Sequence, residues 1–241
     1  MIKRDTSVLS NKLSPAANKY QMMLRICVEG NIGAGKTSAM NEVVRDFDFV
    51  RIYPEDVASM SSELETFYSS QTSDNARALE LKILNICQRP YEASKKQIEE
   101  VALFERGPTS CTDIFSQYYK EKGILSPEHH TDVMTSAEEI GWKPDHYIYI
   151  QTSPGNAFDR MTRRSRSEEE SVVPEYITGL HEQHERRFNP KNKQMESGLF
   201  IKTTDNVWGI CGDQSAARVG VDMQKAVLYL ANCKQKGVTP I

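Results

Sequence analysis

Apolar residues recur along this chain in two alternating rhythms, short strand-like runs and longer helical stripes. Residues 24–29 are a near-continuous apolar run that leads straight into glycines, which predicts a buried strand. Residues 37–47 predict a helix, and residues 49–53 a second strand closed by Pro54. Residues 62–70 and 76–100 are helical in pattern; in the second, Ala76, Leu79, Ile83, Ile86 and Cys87 fall at helical spacing. Residues 101–104 predict a third strand, residues 109–120 and 126–140 helices, and residues 146–150 a fourth strand after a turn at 142–145. Pro154 stands where a helix starts, and that helix runs into an arginine cluster. Helices are also expected at 174–188 and 216–234, with a fifth strand at 199–202. Residues 1–22 are polar and weakly patterned, and read as a flexible tail before a single domain spanning 23–241.

Strands that alternate with helices predict an α/β fold: a five-stranded parallel sheet flanked by helices. The 241 residues, 39% hydrophobic, suffice for a sizeable core. A net charge of −3 disfavours a general nucleic-acid binder. No apolar run approaches the ~18 residues of a membrane span. Five scattered cysteines, odd in number and without a CxxC pair, exclude a disulfide framework or a zinc ribbon. The expected location is the cytoplasm. The alternative is mitochondrial, because the tail carries Lys3, Arg4, Lys12 and Lys19 against Asp5, although with a single arginine and no clear apolar face.

The first strand runs into Gly30, Asn31, Ile32, Gly33, Ala34, Gly35, Lys36 and Thr37, the G-x-x-x-x-G-K-[ST] pattern of a phosphate-binding loop, with a helix behind it. Its glycines let backbone N–H groups surround phosphate oxygens, and the helix N-terminus favours negative charge. Lys36 is expected to reach the β- and γ-phosphates of ATP, and Thr37 to hold Mg²⁺. The chain has no N-K-x-D guanine reader, no LSGGQ-like segment and no paired Asp-Glu strand. GTPases, transporter ATPases and helicases are thereby disfavoured, which leaves transfer to a small acceptor. In a parallel sheet the strand C-termini share one edge, where ligands bind. Glu55 and Asp56 after the second strand, and Glu105 and Arg106 after the third, should therefore converge on the loop. A carboxylate there suits a base for an attacking hydroxyl, and an arginine suits the transferred phosphoryl oxygens.

Arg160, Arg163, Arg164 and Arg166 place four arginines within seven residues, followed by Glu168, Glu169 and Glu170. This reads as a lid over about 160–170 that closes on the donor phosphates and excludes water. His181 and His184 are spaced one residue short of the H-E-x-x-H metal pattern, so they read as packed or solvated helix residues.

Taken together, these residues resemble the deoxyribonucleoside kinase family from about residue 24 to 188, and more thinly to the C-terminus. The loop E-G-N-I-G-A-G-K-T is similar to the family's form. So is the stretch from Arg160 through Glu169, Tyr176, Leu180 and His184. The resemblance implies ATP-dependent phosphorylation of the 5′-hydroxyl of a deoxyribonucleoside, and a homodimer. It assigns Glu55 as the base, 19 residues past Lys36, and Arg106 as a contact of the 5′-oxygen and phosphates. Glu105 would help hold Mg²⁺, Arg160 and Arg164 would serve the donor, and Arg164 and Arg166 would stabilise transition-state charge. Glu169 and Tyr68 would bind the 3′-hydroxyl. Glu80 would stand where the family reads the base with a glutamine. Four positions depart from the family: the order Pro54-Glu55-Asp56 where Glu-Pro is usual, Met60 near a family tryptophan, Gly107 for a serine, and Leu79-Glu80 for Phe-Gln. A nucleoside monophosphate kinase and a catalytically silent family member stay open as alternatives.

Overall fold

The computed structural model describes residues 23–97 and 100–241; the expected tail, 1–22, lies outside the described residues. Six strands form one sheet: β1 (Leu24–Glu29), β2 (Val50–Tyr53), β3 (Val101–Glu105), β4 (His146–Gln151), β5 (Phe200–Thr204) and β6 (Val207–Cys211). Their order is β2-β3-β1-β4-β6-β5. The first five in that order run parallel, and β5 pairs antiparallel with β6 at the edge.

This corrects the expected sheet in one place. The fifth parallel strand is β6, which the apolar pattern missed, and the strand expected at 199–202 is its antiparallel neighbour. Only Asp205 and Asn206 separate β5 from β6, a connection that allows a hairpin and not a parallel crossover. Gly209 interrupts the apolar run of β6; a Cβ there would lie 2.2 Å from the Met195 methyl.

The helices are α1 (Lys36–Asp46), α2 (Ser61–Ser69), α3 (Ser73–Ser94), α4 (Gln117–Glu121), α5 (Pro127–Ile140), α6 (Pro154–Arg164), α7 (Pro174–Phe188) and α8 (Ala216–Lys236). Helix α3 starts at a Thr72 cap, whose hydroxyl accepts from Asn75 N, and ends short of the expected residue 100. The alternation along β1 sends Leu24, Ile26 and Val28 to one face of the sheet and Cys27 to the other. The first face packs on α1 and α8 through Met40, Val43, Met223 and Val227. The second packs on α2, α3, α4 and α7 through Phe67, Leu79, Tyr119 and Leu180. Ahead of α4, residues Ser110–Ser116 widen into a π-helical turn, a distortion frequent at functional sites.

Candidate active site

The C-terminal edge of the parallel strands carries the site, as the alternation of strands and helices predicts. The glycine turn after β1, Glu55 after β2 and Arg106 after β3 open onto one cavity. The turn is packed hard against α6: a Cβ on Gly33 (φ +77°) would lie 2.0 Å from the Ala157 carbonyl oxygen. Gly35 has open space around it, but its φ of +89° disfavours any side chain. Asn31 ties the turn to α7 by donating from Nδ2 to the Ile177 carbonyl at 2.8 Å.

Lys36 is buried, and its Nζ donates to the Gly30 and Asn31 carbonyls at 3.1 and 3.0 Å. Burial, with Arg106 nearby, lowers its pKa to about 8, against the pull of Glu105 and Glu55. The Thr37 hydroxyl lies 2.8 Å from both carboxylate oxygens of Glu105. Arg106 Nη1 donates to Glu55 Oε2 at 2.6 Å, with both side chains largely out of water. Burial opposes the charge on Arg106, but the carboxylates of Glu55, Glu29 and Glu105 more than reverse this, so it stays a cation. Its Nε and Nη2 are buried with no partner. Arg106 also sits at φ +63°, a conformation uncommon outside glycine and one that clusters at functional sites.

The far end of the cavity is aromatic and apolar. Tyr68 meets Tyr176 edge-on, and the Tyr119 and Tyr176 hydroxyls are 2.7 Å apart. Burial is the main cause that pushes the Tyr68 phenol up to about 12. Glu169 faces this end. Arg164 Nη2 donates to both its oxygens at 2.6 and 2.9 Å, and Arg166 Nη1 lies 3.8 Å away. Two arginines expected to grip donor phosphates therefore hold Glu169 here. Arg160 is elsewhere: its Nη2 donates to the Gln214 carbonyl at 2.9 Å, and it lines an open groove behind the glycine turn with Arg163 and Arg164. Glu80 lines the main cavity, fully buried.

Most of the expected site residues thus line the cavity; Ala34, Gly35 and Arg160 line the adjoining groove instead, and Gly30 and Asn31 line neither. Sequence reasoning missed Glu29, Phe115, Tyr119 and Tyr176. Glu29 is buried at the end of β1, where Ser110 Oγ donates to it at 2.6 Å; burial pushes its carboxyl up. Its place directly before the glycine turn was the available signal. Phe115 and Tyr119, one helical turn apart, and Tyr176, far along the chain on α7, look like ordinary core residues in the sequence. Met60 is buried in the wall at the position that departs from the family. His184 is also buried, with Nδ1 2.7 Å from the Leu180 carbonyl and a pKa lowered to about 3 by burial, which fits the packed reading.

Gly107 explains its own departure. A Cβ there would lie 2.8 Å from the Trp142 ring and 3.3 Å from Cys27 Sγ. Gly107→Ser should therefore cost about 1–3 kcal/mol from overpacking. A thermal melt should show Tm falling by roughly 2–10 °C; an unchanged Tm would mean that Trp142 moves aside freely.

The model of the deoxynucleoside kinase family matches residues 26–208. Protein 029R of invertebrate iridescent virus 3, named as a kinase, is 27% identical over 164 residues, covering 68% of this chain and 82% of its own. The mitochondrial deoxyguanosine kinase of Xenopus laevis is 25% identical over 223 residues, covering 78% of this chain and 80% of its own. The human mitochondrial thymidine kinase 2 is 27% identical over 175 residues, covering 66% and 62%. The chain belongs to the deoxynucleoside kinase family, and it is an enzyme that phosphorylates deoxynucleosides.

Proposed function

We propose that this enzyme transfers the γ-phosphoryl group of ATP to the 5′-hydroxyl of a deoxyribonucleoside. One observation carries the reading: the Glu55–Arg106 pair stands in a single cavity between the Lys36–Thr37 turn and the Tyr68–Glu169 end. Glu55 takes the proton of the hydroxyl, the oxygen bonds to the γ-phosphorus, and the bond to the ADP oxygen breaks. The unpartnered Nε and Nη2 of Arg106 are donors for the equatorial oxygens. Lys36 exchanges two backbone carbonyls for phosphate oxygens, which restores the charge that burial disfavours. The adjacent hydroxyl of Thr37 and carboxylate of Glu105 are hard oxygen donors that fit Mg²⁺, which when bound neutralises phosphate charge. The groove lined by Arg160, Arg163 and Arg164 receives the donor nucleotide, and residues 160–170 act as the lid.

The rest of the reading follows the same lines. Residues 23–241 form one catalytic domain, and the enzyme works as a homodimer on free deoxyribonucleosides, without nucleic acid. Among the described residues no helix is long and apolar enough to cross a membrane. The cytoplasm is the proposed location, with the mitochondrion as the alternative.

The test is ADP formation by purified protein with ATP and each of the four common deoxynucleosides. Turnover with nucleoside monophosphates alone would move the acceptor from a hydroxyl to a phosphate and sink the reading. A second expectation concerns the sugar. Glu169 and Tyr68 hold the 3′-hydroxyl, so 3′-deoxy substrates are disfavoured because they leave a carboxylate without its donor. Glu169→Ala should erase most of that discrimination and leave the preference for deoxyribose over ribose largely in place. Competition assays with 3′-deoxy analogues read this out; full discrimination in the variant would remove Glu169 from the sugar site.

A further inference from the structure

As the base, Glu55 becomes neutral each time it takes the hydroxyl proton, and its 2.6 Å pair with Arg106 then loses the anion. Arg106 is buried and its backbone stands at φ +63°, so a cation in that place depends on compensating charge. A second carboxyl lies behind it. Glu29 ends β1, and the pairing of Val28 with Glu105 sets Glu29 level with Arg106 on the neighbouring strand. The Arg106 amide donates to the Val28 carbonyl at 3.1 Å, which carries that register to the strand ends. Glu29 shares a sheet face with Cys27, the face that carries the cavity. It is fully buried and forms no part of the cavity wall, so it touches no substrate.

The Glu29 carboxyl has fixed neighbours. Ser110 Oγ donates to its Oε2 at 2.6 Å, and the Cys27 thiol donates to its Oε1 at 3.3 Å. Both oxygens accept, which suits the ionised form. Ser110 opens the π-helical turn, and Phe115 on the same turn has its ring centroid 5.2 Å from the Arg106 guanidinium carbon. Glu29 therefore braces the turn whose ring lies against Arg106, and places a negative charge behind it. Resting on the reading of Glu55 as the base and Arg106 as the cation for the phosphoryl oxygens, we propose that Glu29 is a positioning residue: the standing counter-anion that keeps Arg106 seated when Glu55 becomes neutral.

The electrostatics agree with the geometry. Burial pushes the Glu29 carboxyl up, while Ser110, Arg106, Cys27 and Lys36 pull it back. Among the carboxylates that favour the charge on Arg106, Glu29 comes second to Glu55 and ahead of Glu105. The sign of the effect separates two roles. An anion that merely stood near the transferred phosphoryl group would repel it, and its removal would speed the reaction. An anion that acts through Arg106 slows the reaction when it is removed.

The experiment measures kcat and nucleoside KM for purified wild type, Glu29→Gln and Glu29→Asp, each well below its own melting temperature. Glutamine keeps the length and can still accept from Ser110, so it removes the charge and little else. Aspartate keeps the charge and is shorter by one methylene, so it reaches Ser110 poorly. The expected order of kcat is wild type, aspartate, glutamine, with glutamine about tenfold below wild type and KM within about twofold. Glutamine faster than aspartate would make Glu29 a tether for the turn. Glutamine at or above the wild-type rate would make its charge idle or repulsive. Either result overturns the inference and leaves the kinase reading intact. A double-mutant cycle gives the second readout. In an Arg106→Gln background the further cost of Glu29→Gln should shrink to about twofold or less, because the residue it serves is gone. An undiminished cost in that background overturns the inference. Arg106→Gln turning over at the wild-type rate overturns the reading of the site and the inference with it.

Discussion

Lys36→Ala is expected to lower phosphoryl transfer on the order of 10³-fold, the upper range for removing a single preorganised charge from a transition state. Lys36 is the cation placed at the glycine turn, within reach of both turn carbonyls and beside Thr37. Its ammonium is also held under strain. Burial lowers its pKa to about 8, so the folded protein disfavours the charged form that phosphate would stabilise. The sign of the stability effect follows. Between about pH 8 and the ordinary lysine value the unfolded chain binds the extra proton, so wild-type stability rises with pH across that window. At neutral pH the lysine therefore costs stability, and the alanine variant should melt at the same temperature as the wild type or above it. Loss of activity with a maintained Tm identifies a residue kept for chemistry at the expense of stability. Near-normal turnover in the variant would remove the glycine turn from phosphoryl transfer.

How much of this was legible in the sequence depends on whether a residue's role is local. β1, the glycine turn and α1 are adjacent in the chain, and the spacing of Gly30, Gly35, Lys36 and Thr37 carries its own chemistry. Glu55, Glu105 and Arg106 were legible for a topological reason, because parallel strands end on one edge. The misses have physical causes too. Gly209 broke the apolar run of β6 because Met195 needs the space above it, so the last parallel strand went unseen. Tyr119 and Tyr176 meet only because α4 and α7 pack on the same face of the sheet, and no spacing in the chain encodes that meeting. The arginine cluster was legible as a basic segment. Its pairing was not: Arg164 and Arg166 face Glu169, a partner supplied by the tight turn at Ser167–Glu169.

Glu55→Gln should reduce the rate by roughly 10²–10⁴-fold, the range for losing a general base, with a much smaller change in nucleoside affinity. The sequence left a choice, since Pro54 precedes two carboxylates, and geometry favours one of them. Glu55 faces the cavity and pairs with Arg106 at 2.6 Å. Asp56 is committed to local structure: it caps the short turn at Val57–Met60 and accepts from Ser59 N and Oγ at 3.2 and 2.5 Å. Asp56→Asn keeps an accepting oxygen for that cap, so its rate should stay within a few-fold of wild type. The glutamine at 55 preserves shape and can still accept from Arg106, so a rate loss reports the missing base and not a displaced arginine. Arg106 does lose an anionic partner, so rates must be measured well below the variant's own melting temperature. Glu55→Asp keeps the base but withdraws it by one methylene, and should fall between wild type and glutamine. If Asp56→Asn suffers the large loss and Glu55→Gln does not, the proton leaves through Asp56, and the Glu55–Arg106 pair is a structural contact at the edge of the site.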